Sequence, residues 1–179
     1  MAALNRKFLL DVSGSMGNVR DDVIGGFNTL VRDQVPLGGT LSLTQFDHEI
    51  NKTFENIPIG EVPLLTRATY MPRGSTALLD AIGATIKETN EPCTLIIQTD
   101  GYENASTKFT KAHIKDLIEQ KQKEGWIFIY LGANQDAFAE AGALGIAAAN
   151  TINYDVNRTP EAFRDLSQMV SSQASNNVV

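Results

Sequence analysis

Short, almost wholly apolar runs alternate along this 179-residue chain with longer segments whose apolar residues recur every three or four positions. Lys7–Asp11, Cys93–Thr99 and Trp126–Leu131 are runs of the first kind. Their lack of polar alternates suits strands covered on both faces. Val19, Val23, Ile24, Phe27, Leu30 and Val31 follow the helical period to about Gln34, where Pro36 and Gly38-Gly39 stop it. Leu78, Ala81, Ile82, Thr85 and Ile86 predict a second helix ending before Pro92. A third is predicted from about Thr110 to Glu124, with Ile114, Leu117 and Ile118 on one face and Gly125 as its left-handed cap. Thr40–Asp47 alternates as a half-buried strand, and Ile50–Phe54 returns from it across Asp47-His48-Glu49 as a hairpin.

The rest of the chain continues the pattern. Residues 135–144 predict a short helix and Asn150–Tyr154 a short edge strand, and Thr159-Pro160-Glu161 reads as a helix start with the Thr159 hydroxyl as N-cap. Residues 56–75 hold three prolines and read as irregular; Ser171–Val179 reads as a frayed polar tail. Strands separated by helices imply an α/β domain: a three-layer, doubly wound, mostly parallel sheet with one antiparallel edge strand and helices on both faces. The length suits one such domain over residues 1–170, followed by the tail at 171–179.

Charge and cysteine usage exclude several functions. The formal net charge of −6 argues against non-specific nucleic-acid binding, which requires a basic patch. A single cysteine, Cys93, permits no internal disulfide, and its place in an apolar run marks it as a small core residue. No window approaches the roughly 20 apolar residues of a membrane span. The apolar stretch Phe8-Leu9-Leu10 is too short for a secretory leader. The expectation is a cytoplasmic protein with no membrane contact.

In doubly wound sheets ligands bind beyond the carboxyl ends of the strands. The residues there are Asp11-Val12-Ser13-Gly14-Ser15-Met16-Gly17 after the first strand and Thr99-Asp100-Gly101 after the most apolar one, with Gly74-Ser75-Thr76 before the second helix. Two carboxylates and several hydroxyls converge without a His or Cys among them. Oxygen donors alone suit a hard divalent cation, Mg2+ or Mn2+, with Ca2+ a poorer fit, and argue against zinc or copper. Ser13, Ser15 and Asp11 could instead cap the first helix and Thr76 the second.

Asp-x-Ser-x-Ser after a first strand, Thr before a later helix and Asp-Gly after a central strand together resemble a von Willebrand factor A (vWA) domain with its metal-ion-dependent adhesion site (MIDAS). The resemblance covers about residues 5–170. It implies that Ser13, Ser15 and Thr76 ligate the metal directly, while Asp11 and Asp100 act largely through water. It further implies protein binding rather than turnover, with an open position on the ion taking a Glu or Asp carboxylate from a partner. The loops at 14–18, 70–75 and 101–107 would frame the contact, with Tyr70, Met71, Arg73 and Tyr102 at its rim. Gly17 and Asn18 stand where some members carry acids for an accessory ion, so none is expected. Without flanking disulfides, a small intracellular adaptor of bacterial or phage type is a better fit than a secreted adhesin.

The rival class is a serine hydrolase, in which Ser13-x-Ser15-x-Gly17 imitates a nucleophile elbow and Ser15, Asp100 and His113 form the triad. His113 falls inside a predicted helix, which weakens it. A haloacid-dehalogenase-like phosphatase needs a second acid where this chain has Ser13. Neither Gly-x-Gly-x-x-Gly nor a phosphate-cradling Gly-x-x-x-x-Gly-Lys-Ser/Thr follows the first strand. His48 reads as a solvated turn residue, and the lysines of 108–123 as a solvated helix face.

Overall fold

A computed structural model describes residues 4–100, 103–133 and 136–176. Strand β1, Asn5–Asp11, lies at the centre of a six-stranded sheet. From it the chain enters a 3-10 turn over Gly14–Val19 and helix α1, Arg20–Gln34, then returns in β2, Thr40–Phe46. A hairpin leads to β3, Ile50–Pro58. After the irregular stretch come α2, Leu78–Glu88; β4, Thr94–Thr99; α3, Lys111–Lys123; and β5, Ile127–Ala133. The chain ends through α4, Ala137–Ala143; β6, Thr151–Tyr154; and α5, Thr159–Asn176. The strand order is β3-β2-β1-β4-β5-β6, parallel throughout except for the antiparallel β2–β3 edge pair. This is the doubly wound architecture that the alternating pattern predicts.

Successive residues of a strand face opposite sides, so the central strands feed two cores. Phe8 and Leu10 of β1, with Ile96 and Ile129, meet Val23, Phe27 and Leu30 of α1 and Phe163 and Leu166 of α5. Leu9, Leu95, Ile97 and Phe128 point the other way, against Ile82 and Ile86 of α2 and Ile114 and Ile118 of α3. All six residues of β4 are buried, which explains its unbroken apolar reading. Phe8 ties the first core together, edge-on to Phe27 at 5.5 Å and stacked with Phe163 at 6.3 Å.

Two elements differ from the sequence reading. Strand β3 continues past Phe54 to Pro58, with a register irregularity near Leu43 and Asn56 at φ 52°. It lies at the sheet edge, mostly exposed, so burial imposes no apolar alternation on its second half. The polar tail from Ser171 is corrected as well: α5 runs on to Asn176. Polar contacts hold this last stretch where apolar periodicity is absent. The Gln34 side-chain amide donates to Ser171 Oγ at 3.0 Å, and that of Gln173 to Asn150 Oδ1 at 3.2 Å. No helix among the described residues is long and apolar enough to cross a membrane.

The turn into β2 places a strict steric demand on one residue. Gly39 has φ 86°, and a Cβ there would come within 2.0 Å of the Leu4 carbonyl oxygen. Gly125, as predicted, ends α3 at φ 97°, but a Cβ would meet nothing within 4 Å. Gly39→Ala should therefore cost more than about 2 kcal/mol through strain plus backbone displacement, and Gly125→Ala about 1 kcal/mol through strain alone. Urea unfolding of the two variants checks the ordering.

Candidate metal centre

The strand order reverses at β1: β1 leads to α1 on one face of the sheet and its neighbour β4 leads to α3 on the other, and the crevice at the carboxyl ends of two such strands is where ligands bind in doubly wound sheets. Asp11 is the last residue of β1 and Asp100 follows β4 directly. The Asp11 side chain is fully buried. Its Oδ1 accepts the Ser13 backbone N–H at 2.7 Å, and its Oδ2 accepts the Thr99 hydroxyl at 2.7 Å. Ser13 Oγ lies 3.2 Å from Ser15 Oγ, and Ser15 Oγ donates to Asp100 Oδ1 at 2.8 Å. Asp11, Ser13, Ser15 and Asp100 thus form one hydrogen-bonded chain, open to solvent at Ser15 and buried elsewhere.

Thr76 reaches the same rim through main-chain stitching. The Arg73 N–H donates to the Val12 carbonyl at 2.7 Å, and the Gly14 N–H to the Gly74 carbonyl at 3.0 Å. Beyond Thr76, the Ala77 N–H donates to the Asp47 carbonyl at 2.7 Å. The Thr76 N–H meets Asn104 Oδ1 at 2.9 Å, and its carbonyl accepts from the N–H groups of Asn104 and Ala105. The backbone is therefore held on every side, while the hydroxyl makes no hydrogen bond among the described residues. Helix capping does not occupy these hydroxyls: Ser13 precedes the 3-10 turn without a side-chain cap bond, and α2 begins beyond Thr76 with Ala77 in its cap position.

Two carboxylates in one crevice need charge compensation, and among the described residues neither Asp11 nor Asp100 has an ion-pair partner. Burial pushes the Asp11 carboxyl above its usual range, against the hydrogen bonds from Ser13 and Thr99. Burial also raises Asp100, opposed by the Ser15 hydrogen bond and helped by the charge of Asp11. A cation is what the site lacks electrostatically. The donors fit a small hard one: the 3.2 Å between the two serine oxygens is close to the roughly 3.0 Å between adjacent corners of a Mg2+ octahedron. Among the described residues no group of three His, Cys, Asp or Glu could hold a metal.

The sequence-derived rim divides. Met71 is 61% exposed, and Arg73 is exposed but paired with Asp47 at 3.2 Å and Glu49 at 3.1 Å. Tyr70 is corrected: it is fully buried in the core on the α1 and α5 side, its hydroxyl donating to the Asp11 carbonyl at 2.7 Å. Its large apolar ring fills space under the loop. Tyr102 and Gly101 lie outside the described residues. Thr99 and Asn104 support Asp11 and Thr76, roles that the sequence reading does not assign although it places Thr99 beside Asp100 and residue 104 in the framing loop. His48 is half exposed between Asp47 and Glu49, and on α3 Lys111, Lys115 and Lys121 form exposed ion pairs, as a solvated face does.

The hydrolase triad is not assembled. Ser15 donates straight to Asp100, whereas His113 sits exposed in the first turn of α3 with its ring 5.2 Å from Phe109.

No family model matches the sequence, and no curated protein matches it either. Solved structures do match. The vWF domain of the type V pili tip protein Mfa5 from Porphyromonas gingivalis superposes with a TM-score of 0.72 at 12% identity, over 97% of each chain. Proximal thread matrix protein 1 from the mussel byssus gives 0.69 at 15% identity, over 93% of this chain and 45% of that one. The chain has the vWA fold. Manganese-loaded TRAP protein from Plasmodium vivax shares this vWA fold, with a TM-score of 0.62 at 16% identity over 92% of this chain and 73% of that one. A further structure of the mussel protein has a zinc-occupied MIDAS motif. This chain thus spans less than half the length of the mussel protein.

The raised carboxyls carry a sign that can be tested. A carboxyl raised in the folded state stabilises it at low pH and loses that contribution as pH rises through the folded-state value. Asp100→Asn keeps an acceptor for Ser15 and removes this loss. In chelator, the stability of Asp100→Asn relative to wild type should therefore rise as pH increases above the ordinary carboxylate range, as read by urea unfolding.

Proposed function

We propose that this chain is a divalent-metal-dependent protein-binding domain, in which Mg2+ or Mn2+ at a MIDAS takes a Glu or Asp carboxylate from a partner protein. The observation that carries the reading is the pair of buried carboxylates with no ion-pair partner among the described residues, joined to hydroxyls that cap no helix. Ser13, Ser15 and Thr76 would be the direct ligands. Asp11 has both carboxylate oxygens engaged by Ser13 and Thr99, which suits a role through water, and Asp100 would orient Ser15. When bound, the ion supplies positive charge that neutral hydroxyls leave incompletely cancelled, and that charge attracts an anion. Ser15 and Met71 are both exposed. The zinc-occupied and manganese-loaded vWA structures support a divalent ion at such a site.

The domain performs recognition in this reading, with no reaction to catalyse, and a small bacterial or phage-type adaptor is the setting that fits it. An esterase panel on wild type and Ser15→Ala should give equal background rates; activity lost only in the variant would restore the hydrolase.

Calorimetric titration of Mn2+ and Mg2+ into wild type, Ser13→Ala and Asp11→Ala tests the site. Wild type should bind and each variant should bind at least about tenfold more weakly. Equal binding in all three would refute the assignment. Protons compete with the cation for carboxylates that burial has raised, so affinity should fall as pH drops through their raised values. A pull-down with Mn2+ and with chelator tests the partner; retention that survives chelation would overturn metal-dependent binding.

A further inference from the structure

The proposed ligands come from two segments some sixty residues apart in sequence, and Thr76 makes no side-chain hydrogen bond to either serine. Their separation is instead set by the strap that runs from Leu65 to Gly74. Two main-chain bonds join its end to the Asp11–Gly14 turn: Arg73 N–H to Val12 and Gly14 N–H to Gly74. One buried side chain does the same, the Tyr70 hydroxyl on the Asp11 carbonyl at 2.7 Å. The other side of the strap is tied to α1. Arg20 Nε donates to the Tyr70 carbonyl at 3.0 Å, and its guanidinium also reaches the Arg67 carbonyl. Asn28 exchanges hydrogen bonds with the Leu65 backbone at 3.0 and 2.8 Å.

Resting on the metal-site reading above, we propose that Tyr70 is a positioning residue for the cation: by holding the Asp11 carbonyl it sets the distance between the Ser13–Ser15 turn and Thr76. The argument is geometric. Asp11 is gripped at both carboxylate oxygens by its own turn and by the end of β4, and at its carbonyl by the strap that leads to Thr76. The ring of Tyr70 sits in the core with no exposed surface, so its hydroxyl has one rigid direction. Losing that hydroxyl leaves the ring packed and the two main-chain bonds in place, and releases only the link that the strap makes to Asp11 itself. A bond that served the fold alone would be missed in the melting temperature and nowhere else. A positioning bond is missed in the affinity of the folded protein for its ion.

The test is Mn2+ affinity by calorimetry, together with thermal melts in chelator, for wild type, Tyr70→Phe and Asp11→Ala. Tyr70→Phe should bind Mn2+ about tenfold more weakly than wild type while remaining folded at the titration temperature. Binding equal to wild type, with only a lowered melting temperature, would overturn the proposal and leave the metal site standing. No Mn2+ binding by wild type would overturn the metal site itself. Should Tyr70→Phe not fold, Arg20→Gln cuts the strap's tie at the Tyr70 carbonyl from the surface side. It carries the same expected weakening and the same refutation.

Discussion

A carboxylate with no access to water, at the end of the central strand of a parallel sheet, is costly unless its oxygens are filled and its charge is matched. Asp11 meets the first condition through Ser13 and Thr99 and leaves the second open. Much of the upper face follows from that side chain. The turn must bend so that the Ser13 N–H faces back to Oδ1, which brings the Ser13 hydroxyl beside that of Ser15. Strand β4 must end level with β1, so that Thr99 reaches Oδ2 and Asp100 falls opposite Ser15. The strap must pass close enough for Tyr70 to take the carbonyl.

The same arrangement accounts for the choice of residue types. Acids at every position would satisfy a cation fully and leave it indifferent to an outside anion. In the proposed function, hydroxyls backed by two acids would hold the ion while keeping its charge available. The acids would then act as a buried counter-charge, with neutral ligands nearest the surface. Ser15 is the exposed member of the hydrogen-bonded chain, and a partner's carboxylate would arrive beside it in that reading.

Parts of this were legible in the linear pattern because burial on both faces writes itself into composition. Strands β1, β4 and β5 are buried along nearly their whole length, and their apolar runs announce them. The Asp-x-Ser-x-Ser turn is legible for a different reason: a strand end followed by small oxygen-bearing residues is unusual chemistry at a recognisable place. Where polar contacts or exposure govern the structure, the pattern is silent. The second half of β3 is exposed and the last turns of α5 dock through Gln34 and Gln173, so neither carries periodicity. Tyr70 misled because an aromatic residue in a proline-rich loop reads as surface, whereas its ring enters the core and its hydroxyl alone serves the site.

The order of apolar runs and helical segments already pointed to a helix-covered parallel sheet, and at 179 residues the chain is short for the closed barrel that would be the alternative to a doubly wound sheet. It also placed Asp11, Ser13, Ser15 and Asp100 at strand ends, where ligands gather. What the linear order could not decide is which hydroxyls were left without structural work. Capping and ligation draw on the same residues at the same positions, and local sequence does not distinguish them. The tertiary structure shows that Ser13 makes no side-chain cap bond and that α2 begins beyond Thr76, which leaves these hydroxyls free of helix capping. Packing also holds Thr76 by its backbone and gives both Asp11 oxygens protein donors. Among the described residues neither Asp11 nor Asp100 has an ion-pair partner, while Arg20 is bonded to the strap and Arg73 to Asp47 and Glu49.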